Sequence, residues 1–128
     1  MLKATTPQEI SQLIGDAITG GDLEGALSLF EPGATFVMPR ALGEGSVTGL
    51  GGLREAISGF LAIDPKLTVN AERTVLAGDT ALVIGNWTLL GRDENGHDID
   101  IAGRYADVVR RQPDGRWLYV IDNPNGSD

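Results

Sequence analysis

Apolar residues recur at third and fourth positions through the first half of the chain and alternate with polar ones through the second, a pattern that predicts helices followed by strands. Ile10, Leu13, Ile14, Ala17 and Ile18 share one helical face directed at a core. Thr5 or Thr6, with Pro7 and Glu9, supplies a capped start to this helix, and Gly20-Gly21 ends it. Residues 21–39, GDLEGALSLFEPGATFVMP, read as a short helix capped by Asp22, with Leu23, Ala26, Leu27 and Phe30 on one face. That helix breaks at Pro32-Gly33 and passes into a β-prone run over residues 34–38. A third helix repeats the spacing at Leu53, Ala56, Ile57, Phe60 and Leu61, with Pro65 as its far limit.

From Lys66 onward the pattern is that of strands. Leu67, Val69 and Ala71 lead into residues 74–76, Gly78-Asp79 turns the chain, and a long run covers residues 80–90. Asn95-Gly96 calls for a tight hairpin before a strand over residues 98–111. The sequence Gln112-Pro113-Asp114-Gly115 makes another turn, and residues 116–122 form the last strand. Helices first and a strand meander second define an α+β layered domain. In the last strand Trp117, Tyr119 and Ile121 alternate with Leu118, Val120 and Asp122, so both faces carry apolar residues. The sheet is therefore expected to pack its outer face on a second copy, with the chain's own termini or loops as the alternative cover. Residues 41–52, ALGEGSVTGLGG, read as a lid or a surface loop and lack the lysine of a phosphate loop.

Composition narrows the chemistry. With 128 residues the chain is long enough for one domain and too short for an added cofactor domain. Its formal charge of −8 repels phosphate backbones and anionic lipid, so neither nucleic acid nor a membrane is an expected partner. The absence of cysteine removes disulfides and thiolate chemistry, and the single His97 cannot build a histidine metal cluster. No cofactor motif or metal-ligand pattern is present. The start, MLKATTPQEI, has no apolar signal core, and no apolar run approaches the ~18 residues of a spanning helix, so a cytoplasmic protein is expected.

The helix-to-strand unit of residues 21–39 resembles the second helix and first strand of the SnoaL-like and ketosteroid isomerase-like families of the nuclear transport factor two-like superfamily. The ending, with its Pro-Asp-Gly turn and Asp-Asn-Pro, is similar to the YybH-like and SgcJ/EcaC-like groups. The resemblance implies a cone, a curved mixed or antiparallel sheet and three helices around a pocket. Length makes it a single domain over residues 1–128, and the apolar outer face of the last strand makes a homodimer through the convex sheet face the expectation. Carried over residue by residue, the isomerase pattern puts Met38 where its base belongs and Ile14 where its tyrosine belongs, and only Asp107 matches. Neither a thioether nor an isoleucine can do that work, so steroid isomerisation is rejected. Polyketide cyclases of the SnoaL type and limonene-epoxide hydrolases use an Asp late in the last strand, which Asp122 matches, but the hydrolases' Arg and second Asp have no counterpart near residues 85–88.

These positions lead to a base, Asp122, with Asp107 or Tyr105 as donor to an oxyanion. A carboxylate in an apolar cone loses solvation and holds its proton nearer neutral pH. On the register set by Asp107, residues Ile101, Gly103, Tyr105 and Val109 face inward with Val83, Gly85 and Trp87 of the preceding strand, and the glycines beside aromatic residues suggest room in a pocket or bulges in the sheet. The expected lining is Ile14, Ile18, Phe36, Met38, Phe60, Val83, Trp87 and Val120, suited to a small apolar or polyketide-like organic molecule. Arg104 is expected in a convex-face ion pair, His97 in solvent, and Asn123 either beside the Asp122 carboxylate or in a strand-ending turn. The other function class is non-catalytic, a ligand-binding or oligomerisation module of the same shape.

Overall fold

The computed structural model describes residues 2–127. Helix α1 (Glu9–Thr19) begins where the Glu9 carboxylate reaches back to accept the Thr5 and Thr6 hydroxyls at 2.9 and 3.0 Å. Helix α2 (Leu23–Leu27) is capped by Asp22, whose Oδ1 accepts the Gly25 N–H at 2.9 Å. It is shorter than its apolar spacing predicts. The Ser28 hydroxyl closes the helix on the Gly25 carbonyl at 2.6 Å, and Phe30, expected on the helix, instead opens strand β1 (Phe30–Val37). The pull comes from the far end of the chain: the Tyr119 N–H donates to the Leu29 carbonyl at 2.7 Å, and the Phe30 and Tyr119 rings pack with centroids 4.8 Å apart. Pro32-Gly33 falls in an irregular stretch of β1 and breaks no helix.

Residues 41–52 are neither lid nor plain loop. They supply a short strand, β2 (Ser46–Thr48), paired antiparallel with β1, and the start of helix α3 (Leu50–Leu61). Strands β3 (Lys66–Ala77), β4 (Thr80–Arg92), β5 (Asp98–Arg111) and β6 (Trp117–Asp122) follow as expected. The β4–β5 connection is wider than a two-residue turn: Asp93 Oδ1 gathers the N–H groups of Asn95 and His97, each at 2.9 Å, and holds a five-residue loop from residue 93 to 97. Among the described residues the sheet has six strands in the order β2-β1-β6-β5-β4-β3, all neighbours antiparallel except β1 and β6, which run parallel. The fold is α+β, with the helices packed on β1, β2 and β3 over the core face. No described helix is long and apolar enough to cross a membrane.

Period-two alternation fails in β6. Val109 pairs with Tyr119 and Val108 with Ile121, which leaves Val120 as an unpaired bulge residue. The bulge resets the pleat, so Trp117 and Tyr119 are buried in the core, Asp122 joins Tyr119 on the cavity side, and Ile121 turns outward at 39% exposure. The expected division of Trp117, Tyr119 and Ile121 from Asp122 is thereby corrected.

Candidate functional site

One row across the concave face sets the site. Val83 pairs with Asp107, the Val108–Ile121 pair sets Asp107 opposite Asp122, and Asp122 pairs with Phe36. Two carboxyl groups thus sit side by side between two apolar neighbours, in hydrogen-bond contact with each other. Asp107 is 3% exposed, while Asp122 keeps a half-buried surface on a cavity of about 90 Å³. Burial pushes the Asp122 carboxyl up to about 7, against which the hydrogen bond from Asp107 works in the opposite direction. Asp107 is also raised well above the ordinary carboxylate value, by burial first and then by the Asp122 charge, although the Asn123 N–H donates to its Oδ1 at 2.8 Å. Both carboxyl groups of the pair thus hold a proton to higher pH than an exposed aspartate does. Among the described residues, no Lys, Arg or His lines the cavity.

Tyr105 also lines the cavity, and its hydroxyl is paired at 2.8 Å with Ser11, a buried residue of α1 that the sequence pattern did not single out. Burial raises that phenol to about 12, the Asp107 and Asp122 charges adding to the effect. Tyr105 faces Gly85 across β4–β5, and Trp87 faces Gly103 two positions on. A Cβ at Gly85 would lie 2.8 Å from the Tyr105 hydroxyl, and one at Gly103 would lie 2.9 Å from the Trp87 ring. The glycines are floors on which the rings rest. The room expected beside them is filled, and the bulge suspected there lies in β3 between Ala71 and Arg73.

Ile14, Ile18, Phe36, Phe60 and Trp87 line the cavity as expected. Val83 does not: it is fully buried and serves as the apolar flank of Asp107. Met38 lies past the end of β1 against the loop at Gly43, and Val120 is the bulge residue, so neither reaches the cavity. Phe30, Tyr119 and Pro124 are lining residues the sequence reading missed; a parallel β1–β6 pair and a bulge, neither visible in residue spacing, bring them there. Arg104 pairs with Glu72 at 3.0 Å and His97 is exposed beside Asp93, as expected. Asn123 addresses Asp107 through its backbone and leaves Asp122 alone.

Residues 11–120 match the family model described as the SnoaL-like domain. No curated protein matches the sequence significantly. Among solved structures, a nuclear transport factor 2-like superfamily protein from Salmonella enterica superposes with a TM-score of 0.76 at 21% identity, covering 95% of this chain and 93% of that one. A Xanthomonas campestris protein assigned as a calcium/calmodulin dependent protein kinase II association domain gives 0.76 at 23% identity, over 96% and 92% of the two chains. A ketosteroid isomerase-like protein from Erwinia carotovora atroseptica gives 0.75 at 15% identity, over 91% and 90%. At these identities the likeness is one of fold.

Proposed function

The chain belongs to the SnoaL-like domain family, and on that premise we propose that its cavity is the site of cofactor-independent acid–base chemistry on a small, neutral, largely apolar carbonyl compound. The observation that carries the reading is the pair of carboxyl groups, in mutual hydrogen-bond contact, on an apolar cavity whose described lining has no cation. Asp122, ionised near neutral pH, takes a proton from the carbon next to the carbonyl. Asp107, still protonated, donates a hydrogen bond to the oxygen as enolate charge develops there. The proton returns from Asp122 to a different carbon in an isomerisation, or, in a cyclisation, the enolate carbon attacks a second carbonyl of the same molecule and the alkoxide left as that C=O π bond opens takes the proton from Asp122. Tyr105, whose hydroxyl is paired with Ser11, is the alternative donor to the same oxygen.

The test is exchange of α-protons from a panel of small neutral ketones into D2O, followed by proton NMR. Asp122→Asn is expected to slow catalysed exchange by about 10²-fold or more while the ketones still bind. Undiminished exchange in that variant refutes the assignment.

A second reading is a non-catalytic binding or oligomerisation module, and one observation favours it. On the outer face Val75 pairs with Leu82, Leu82 with Val108 and Val108 with Ile121, an apolar row across four strands. Val75 and Ile121 are 42% and 39% exposed, as expected of a face that meets a second copy. The Xanthomonas protein assigned as an association domain has the same fold. A homodimer and a catalytic cavity are compatible, because the row and the carboxyl pair occupy opposite faces of the sheet.

A further inference from the structure

Residues 123–126 continue the line of β6 without joining the sheet beyond their first residue. Asn123 adds one last ladder bond, its carbonyl accepting the Ala106 N–H at 3.1 Å. Pro124 is buried and lines the cavity beside Asp122. Side-chain bonds hold the rest. Trp87 Nε1 donates to the Pro124 carbonyl at 2.7 Å. Asn125 donates through Nδ2 to the Met38 carbonyl at 3.0 Å and accepts the Arg40 N–H at Oδ1, also at 3.0 Å. Gly103 makes the Trp87 bond possible, since any side chain there would collide with the indole that rests against β5.

The cavity, about 90 Å³, is well below the roughly 300 Å³ at which drug-sized ligand pockets begin. A ligand of a dozen or more heavy atoms is therefore taken in completely only if a wall moves. Most of that wall consists of packed helices and paired strands, whereas residues 123–126 reach it through Pro124 and are held by a few polar contacts that can break one at a time. Their first residue also supplies the N–H that holds Asp107, so displacing them reaches the carboxyl pair directly.

We propose that residues 123–126 form a gate on the cavity, latched by Trp87 and Asn125, whose release admits the ligand. The gate rests on the reading of the cavity as a ligand site, but its test is independent of turnover. Two measurements are made on the full chain: amide hydrogen exchange by NMR, and stopped-flow association of the neutral fluorescent probe N-phenyl-1-naphthylamine. Asn125→Ala loses two hydrogen bonds outside the cavity, which is expected to raise both the exchange rate of the Asn123 and Asn125 amides and the probe's association rate by about tenfold. Trp87→Phe, which keeps an aromatic wall and removes one bond, is expected to act in the same direction by a smaller factor, with the Val83 amide unchanged in both variants as a control on the fold. Three results overturn the gate: wild-type exchange at these amides in both variants, faster exchange without faster association, or no probe binding in any of the three proteins. Loss of ketone exchange in Asp122→Asn bears on the chemistry alone.

Discussion

Asp122 lies between Asp107 and Phe36 in the row, and no cation faces it from the described cavity wall, so ionising it forfeits hydration that the wall does not replace. The sign of the consequence follows from linkage. Between the ordinary carboxylate value near 3.8 and about 7, the folded chain holds a proton that the unfolded chain has released, so stability falls as pH rises through that window. Asp107, also raised by burial, contributes a loss of the same sign. Glu31, held below its ordinary value first by its hydrogen bond from Arg110, acts the other way, losing its contribution only as pH falls through the acid range. Urea unfolding is expected to show the wild type less stable at pH 8 than at pH 5 by on the order of 2 kcal/mol, with the slope smaller in Asp122→Asn and the remainder due to Asp107, which stays buried. A flat wild-type profile would mean that the carboxyl is hydrated. Asp107 was legible in the sequence because β5 alternates without interruption. The face of Tyr119 was not, since simple alternation puts it opposite Asp122 and only the extra residue at Val120 brings the two to one side.

Among the elements, β4 and β5 hold their rings by exchanging glycines, Gly85 under Tyr105 and Gly103 under Trp87. A Cβ at Gly85 would also fall 1.9 Å from the Asn70 carbonyl, a backbone atom brought close at the β3 bulge. Gly85→Ala is therefore expected to cost about 3 kcal/mol or more in chemical denaturation. Gly59, inside α3 with open space around it, predicts the reverse: alanine there should stabilise the fold by roughly 0.5–1 kcal/mol. The sequence made α1, α3, β4 and β5 legible because their periodicity is unbroken. It hid the early end of α2, where Phe30 has helical spacing yet pairs with Tyr119 far along the chain, and it hid β2, whose three residues are too few to show a period.

At the scale of the whole molecule, the outer face and the cavity are separate surfaces of one sheet. The expected aromatic cover for a partner is gone, because Trp117 and Tyr119 are in the core, and the row from Val75 to Ile121 takes over that argument. Light scattering is expected to find a dimer, and Leu82→Lys combined with Ile121→Lys to give a folded monomer; a monomeric wild type at every concentration would remove the second subunit. The parallel pairing of β1 with β6 has its own consequence for synthesis. A nascent chain emerging from the ribosome can zip β3 to β4 and then to β5 as each hairpin appears, but β1 must wait, joined only to β2, until the final strand arrives between it and β5. The arrival of β6 is thus also the step that assembles the carboxyl pair, and a chain cut short before Asp122 would carry most of the fold with half of its chemistry missing.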